Sequence, residues 1–392
     1  MNNIVNAYTK NEQLSFNLMT ISVFLGLFVQ CFQNYLGSFA IASYLSILAF
    51  GFLGILVYFS GAKNVNVYVR SFVFLIVYFV VIGLVGNVNF DMTIATVQDS
   101  RYMMFFLMSI IFAQNDRYMA IFHSIMKKLG IVAIILGIYA LLHFSFENIA
   151  TRDTVWTDQY YFWWASANTF VYLAAFSFVT KKDRIVGYGT LILYFILGAM
   201  FLKRSAFVNV IVIIVLSIII HSKKPGKNAI IVLIGVFGLL YLLNQYFPEY
   251  FAVTSDALMD RFETIESIET VDRNVEAQLF FERAPLSKIL LGYGAFNYPI
   301  DIIQGKTINA LHNSWANIFF KGGIVYAIWY IWIYSGVLRN AIHAKKQNEL
   351  FLVCLIVAIS SLVSMAYEGG WTYTLEPFCT AAPIIYAAKK SV

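Results

Sequence analysis

Polar residues along this chain are confined to short gaps between long apolar runs. A helix needs about 20 apolar residues to cross a bilayer core. Runs near that length fall at Leu14 to Phe32, Gly37 to Phe59, Ser71 to Gly86, Tyr102 to Ala113, Leu129 to Phe146 and Ala165 to Thr180. A second set comprises Ile185 to Leu202, Ser205 to Ile220, Ala229 to Phe247, Gly322 to Leu338, Leu350 to Met365 and Leu375 to Ala388. The pattern predicts an all-α, polytopic transmembrane bundle of about twelve spans. The fourth run is the shortest. Twelve helical residues cover only about 18 Å, so it must borrow from its flanks, tilt, or sit where the bilayer is thin. No Lys, Arg, Asp or Glu falls inside a predicted span core, and only Pro383 interrupts one.

Composition narrows the class. The 392 residues are 60% hydrophobic and 12% charged, against a soluble-domain norm of about 25% charged. One core cannot hide that much apolar surface, which excludes a soluble enzyme, a secreted disulfide scaffold and a disordered chain. Cys31, Cys354 and Cys379 lie in apolar runs, without a partner at disulfide or metal-ligand spacing. Met1 to Gln13 is polar, and no small-residue cleavage site follows the first run, so that run is expected to be a retained span.

Charge sets the orientation, because short cytoplasmic loops collect Lys and Arg. With the N-terminus inside and spans alternating, the inner segments hold 17 of the 27 bases and four of the 21 acids. Both termini are thus predicted cytoplasmic, and the net +6 divides into +13 inside and −7 outside. The basic balance reports topology, and nucleic-acid binding has no support.

Two outer features depart from short, uncharged turns. One is Phe201-Leu202-Lys203-Arg204-Ser205, where two cations occupy the side that ordinarily excludes them. The other is the stretch from Pro248 to Lys321, far longer than the usual connection. It divides the chain into spans 1 to 9 (1–247), a periplasmic loop (248–321) and spans 10 to 12 (322–392). Within the loop, Leu258, Phe262, Ile265, Ile268, Val275 and Leu279 recur at helical spacing between acids, which predicts one or two amphipathic helices stopped by Pro285. Gly292-Tyr293-Gly294 follows, then Ala310-Leu311-His312-Asn313-Ser314-Trp315 and Gly322-Gly323. Ala310 to Phe320 reads as an interfacial or re-entrant segment ahead of the tenth span.

The order Lys203-Arg204-Ser205, Asp272-Arg273, Gly292-Tyr293-Gly294, His312-Asn313 and Gly322-Gly323 resembles the O-antigen polymerase and O-antigen ligase superfamily of integral-membrane glycosyltransferases. In motifs the likeness covers roughly Leu202 to Leu338. Lys321 stands where that family would carry an apolar residue, and Lys203 where it more often has a small or polar one. The resemblance implies a glycan carried on polyprenyl pyrophosphate, a lipid-linked acceptor, and reaction at the periplasmic face of the bacterial inner membrane. A chain-length regulator is a further partner it implies, and it implies no cofactor. The residues agree: no Asp-x-Asp pair for a metal–nucleotide complex is present, so the leaving group must arrive already activated.

Departure of the pyrophosphate builds negative charge, which guanidinium forks match. Arg204 and Arg273 suit that role, with Lys203 as a point charge. His312 is the one histidine of the outer loop and the candidate base for the acceptor hydroxyl, its ordinary pKa of ~6.5 suiting proton uptake near neutrality. Asn313 can orient it or bind a sugar, Tyr293 or Trp315 can stack on one, and Arg101, opening the fourth span, can meet the lipid phosphate. Each has a plainer reading: Arg204 as a snorkelling cation, Arg273 as a surface salt bridge with Glu269 or Glu276, His312 as an interfacial histidine. A polymerase joining lipid-linked repeat units is the leading expectation. A ligase handing the glycan to lipid A core or protein uses the same donor chemistry. A lipid-linked glycan transporter is the alternative of a different class, disfavoured because transporters place charges and broken helices near mid-membrane.

Overall fold

A computed structural model of the chain describes residues 9–61, 65–85, 94–143, 158–179, 184–200, 204–221, 245, 269–296, 311, 314–342, 348–365 and 375–389. Among them there are helices and turns and no strand. In chain order the helices are α1 (Lys10–Cys31), α2 (Gln33–Leu36), α3 (Ala40–Gly61), α4 (Val67–Val85), α5 (Ile94–Phe112), α6 (Asp116–His143), α7 (Asp158–Val179), α8 (Arg184–Met200) and α9 (Arg204–His221). After an interval come α10 (Glu269–Arg283), α11 (Leu286–Leu291), α12 (Ser314–Ala341), α13 (Glu349–Ser364) and α14 (Glu376–Lys389). A helix stands at each predicted run except the ninth, Ala229 to Phe247, which apart from position 245 lies outside the described residues. Among the described residues five helices are long and apolar enough to cross a membrane: α1, α3, α4, α12 and Asp116–Ala140 of α6. The described residues are all-helical, and these apolar helices mark a membrane protein.

Local signals fix the ends. Thr9 caps α1, accepting the Glu12 amide at 3.2 Å while the Glu12 carboxylate accepts the Thr9 amide at 2.9 Å, so two otherwise unpaired donors are satisfied reciprocally. Asn348 caps α13 through the Phe351 amide. α10 ends at Arg283, and Pro285 opens α11 from its N-cap, as its missing N–H allows. α5 begins at Ile94, so the short fourth run borrows from its N-terminal flank. That extension corrects the expectation of charge-free spans: it draws Asp99 and Arg101 into the helix, and α12 likewise contains Lys321.

α14 is the centre of the bundle, packed on α5, α7, α12 and α13 and buried from Pro377 to Ala388. Ser109 of α5 inserts into its ladder. The hydroxyl donates to the Phe378 carbonyl at 2.6 Å and accepts the Ala382 amide at 2.6 Å, just ahead of Pro383. The inserted side chain supplies partners to groups that a proline-interrupted helix leaves short.

The helix ends that the charge count groups on one side meet in space. Tyr118 of α6 donates to Glu12 of α1, Gln114 donates to Tyr58 of α3, and Lys389 of α14 donates to the Gln114 carbonyl. Tyr386 donates to Asp116 at 2.8 Å, and the Asn340 amide donates to the last carbonyls of α14 at 2.8 and 2.9 Å. At the opposite end lie the starts of α5, α12 and α14 and the turn after α11.

Candidate functional site

α12 is two helical pieces. Gly323 has φ 58° and ψ −153°, which interrupts the helix after Gly322. The carbonyls of Phe320 and Lys321 lie immediately before this break. The turn after α11 donates to both. Tyr293 donates to the Phe320 carbonyl at 2.7 Å and Gly294 to the Lys321 carbonyl at 3.0 Å. The next two amides continue the series, Ala295 to the Phe79 carbonyl of α4 at 2.8 Å and Phe296 to Asp99 Oδ2 of α5 at 2.9 Å. Tyr78 of α4 donates to the Leu291 carbonyl at 2.7 Å from the other flank. The close approach requires glycine: a Cβ on Gly83 would collide with the Ala295 carbonyl, and one on Gly323 with the Leu290 carbonyl.

Lys321 and Asp99 lock this junction. The ammonium lies 2.9 Å from Oδ1 and 3.0 Å from Oδ2, with Lys321 0% and Asp99 3% exposed. Both charges have left water, so each is tolerable because the other is present. Phe296, at φ 62°, holds a left-handed backbone that costs an L residue about 1–2 kcal/mol. The Asp99 bond to its amide helps fix it there.

The remaining predicted residues divide clearly. Tyr293 is 7% exposed, its ring 5.2 Å from that of Phe320 and 5.0 Å from Lys288 Nζ, which leaves no open face for a sugar. Burial raises the Tyr293 phenol above the usual range and lowers the Lys288 ammonium. Arg101 does not stand at a span mouth. It is 7% exposed within α5, its guanidinium 5.0 Å over the Tyr44 ring of α3. Trp315, in the first turn of α12, is 39% exposed and keeps a ring available. Arg204 is the first residue of α9 and Arg273 lies in α10, but their side chains, like Lys203, His312 and Asn313 as a whole, lie outside the described residues.

Beside the broken helix a cavity of about 40 Å³ opens between α5, α12, α13 and α14, its polar wall formed by Tyr102, Ser314, Asn317, Tyr330, Glu376 and Thr380. Tyr102 and Tyr326 share a hydrogen bond of 3.0 Å, and Tyr326 donates to Tyr330 at 3.5 Å. Asn317 Oδ1 accepts the Leu311 amide at 3.0 Å, which ties the chain just ahead of α12 to the cavity wall. Sequence reasoning missed Asp99, Glu376 and these tyrosines. The available signal was Lys321, a cation at the head of an apolar run that calls for a buried carboxylate, with Asp99 one helical turn before Tyr102. Among the described residues no group of three or more His, Cys, Asp or Glu could hold a metal ion. Comparison of the chain with family models, with curated proteins and with solved structures finds no match in any of the three.

Proposed function

We propose that this chain is a metal-independent membrane glycosyltransferase of twelve spans, with both termini cytoplasmic, acting at the periplasmic face of a bacterial inner membrane. It transfers a glycan from a polyprenyl-pyrophosphate donor to a lipid-linked acceptor repeat unit, as a surface-polysaccharide polymerase. One observation carries this reading: Gly292-Tyr293-Gly294 and Gly322-Gly323, two of the pieces on which the resemblance rests, pack backbone to backbone in a single junction. Tyr293 and Gly294 donate to the two carbonyls just before the glycine pair, and a Cβ on Gly292 or on Gly323 would collide with the other motif's backbone, so the two motifs fit only together. The same end of the bundle carries Trp315 and the polar cavity, and the charge count makes it the outer end. His312 acts as base toward the acceptor hydroxyl, and Arg204 and Arg273, with Lys203, bind the departing pyrophosphate.

Turnover of a synthetic polyprenyl-pyrophosphate oligosaccharide by the purified chain tests the chemistry, with products longer than one repeat expected. Surface polysaccharide from a deletion strain separates polymerase from ligase. Loss of a polymerase leaves single transferred units, whereas loss of a ligase leaves long chains on the lipid carrier. A second reading, a lipid-linked glycan transporter, is favoured by the broken helix and the Lys321–Asp99 pair, since transporters build sites from interrupted helices and buried charges. Movement of labelled lipid-linked glycan across proteoliposomes, without new glycosidic bonds, is its signature.

A further inference from the structure

We propose that the cavity between α5, α12, α13 and α14 is a saccharide subsite that receives the hydroxyl-bearing edge of the acceptor sugar, an assignment that rests on the transferase reading above. Its lining has the chemistry a neutral polyol requires. Tyr102 and Tyr330 give aromatic faces for C–H contact and phenol hydroxyls, Ser314 an alcohol, and Glu376 a carboxylate that accepts from a sugar hydroxyl. Asn317 commits its carbonyl to the Leu311 amide, which leaves its NH₂ as a donor. Ser314 and Asn317 are both buried, so a sugar hydroxyl bound there exchanges water for fixed partners. The Tyr102–Tyr326–Tyr330 hydroxyl series holds the two lining phenols in place before a ligand arrives.

The lining also selects against the other half of the substrate. It contains a carboxylate and no Lys or Arg, so a diphosphate there would set anion against anion across a low-dielectric wall. The lipid pyrophosphate is thereby left to cations elsewhere, and the glycan to this cavity. About 40 Å³ admits a hydroxyl or hydroxymethyl group and not a whole pyranose. The ring stays at the mouth, where Trp315, next in the chain to Ser314, offers an exposed face. Glu376 is the binding residue on which the subsite most depends.

Two measurements on the full chain in lipid nanodiscs test this. Saturation-transfer NMR with methyl gluco-, galacto- and mannopyranosides reads sugar binding without requiring turnover. Kinetics with a fixed polyprenyl-pyrophosphate oligosaccharide donor and a varied methyl glycoside acceptor read the role in transfer. Glu376→Gln, nearly isosteric, should abolish saturation transfer and raise the acceptor KM about tenfold, the scale of one charge-assisted hydrogen bond, with the donor KM unchanged. Ser361→Ala, on the α13 wall, should move both in the same direction by less, and serves if the Gln variant does not elute as a monodisperse protein. Transfer with wild-type acceptor KM and wild-type saturation signals in both variants overturns the subsite and leaves the transferase reading standing. A wild-type chain that transfers nothing, yet shows saturation that Glu376→Gln removes, sinks the transferase reading and keeps the subsite. A thermal midpoint raised by sodium but not choline, lost in Glu376→Gln and accompanied by no glycoside signal, marks a cation site and overturns the proposal.

Discussion

Lys321→Met tests the junction at the helix break most directly. The substitution keeps the length of an unbranched side chain but removes the ammonium that lies 2.9 and 3.0 Å from the two Asp99 oxygens. Asp99 then stays in a site where it is 3% exposed, without its cation. Removing one partner of a buried pair costs about 3–5 kcal/mol, whereas replacing both by neutral groups of similar volume is often near neutral. Asp99→Asn alone strands the ammonium and should cost a similar amount. Asn at that position still presents an oxygen to the Phe296 amide, so the double variant retains the bond that fixes the turn. The expected coupling energy is at least about 3 kcal/mol, against about 0–1 kcal/mol for an exposed pair. Denaturant titration in mixed micelles measures it by tryptophan fluorescence. Trp329 is a local reporter, packed against Phe72 and Phe106 and bonded to Ser71. Hydrogen exchange gives the local effect: the Phe296 amide should lose protection in Lys321→Met before Tyr293, Gly294 and Ala295 do. Single variants that each cost under about 1 kcal/mol and add in the double variant would refute the reasoning, because the pair would then behave as though solvated.

The other expectations concern the break, the core and the orientation. Gly323→Ala should destabilise by more than the roughly 1–2 kcal/mol of a left-handed L residue, since its Cβ also meets the Leu290 carbonyl; a thermal midpoint equal to wild type would contradict this. Asn209 accepts from Ser360 at 2.8 Å and Ser364 at 2.9 Å and donates to Tyr194, so Asn209→Leu should cost about 1–3 kcal/mol by removing a bond from two buried hydroxyls and the half-buried Ser364, read by the same titration. His312→Ala should abolish polymer at unchanged abundance, and Arg204→Lys and Arg273→Lys should each reduce it through loss of the guanidinium fork, as gel analysis of surface polysaccharide will show. Cysteines introduced at positions 273 and 306 should react with an impermeant maleimide from outside and those at 183 and 345 should not. Cys31, Cys354 and Cys379 are buried and give a silent background.

By itself the sequence determined where helices form and which class of protein they make. Apolar periodicity is local, so every predicted run within the described residues has its helix, and the stops at Arg283 and Pro285 could be read from the chain. The charge count sorted helix ends that meet around Gln114 and Asp116, because loops are short and spans must alternate. The break was half legible: Gly322-Gly323 and a suspected re-entrant segment marked it, but nothing local says that the Tyr293 and Gly294 amides bond the carbonyls just before it. Those bonds join residues about 30 positions apart, and the ion pair joins positions 222 apart. Only tertiary structure could decide that Asp99 faces Lys321, that Arg101 and Tyr293 are packed away, and that Tyr102, Tyr330 and Glu376 share a cavity. The physical reason is that burial and partnership belong to pairs of distant segments, whereas period, capping and charge bias belong to one segment at a time.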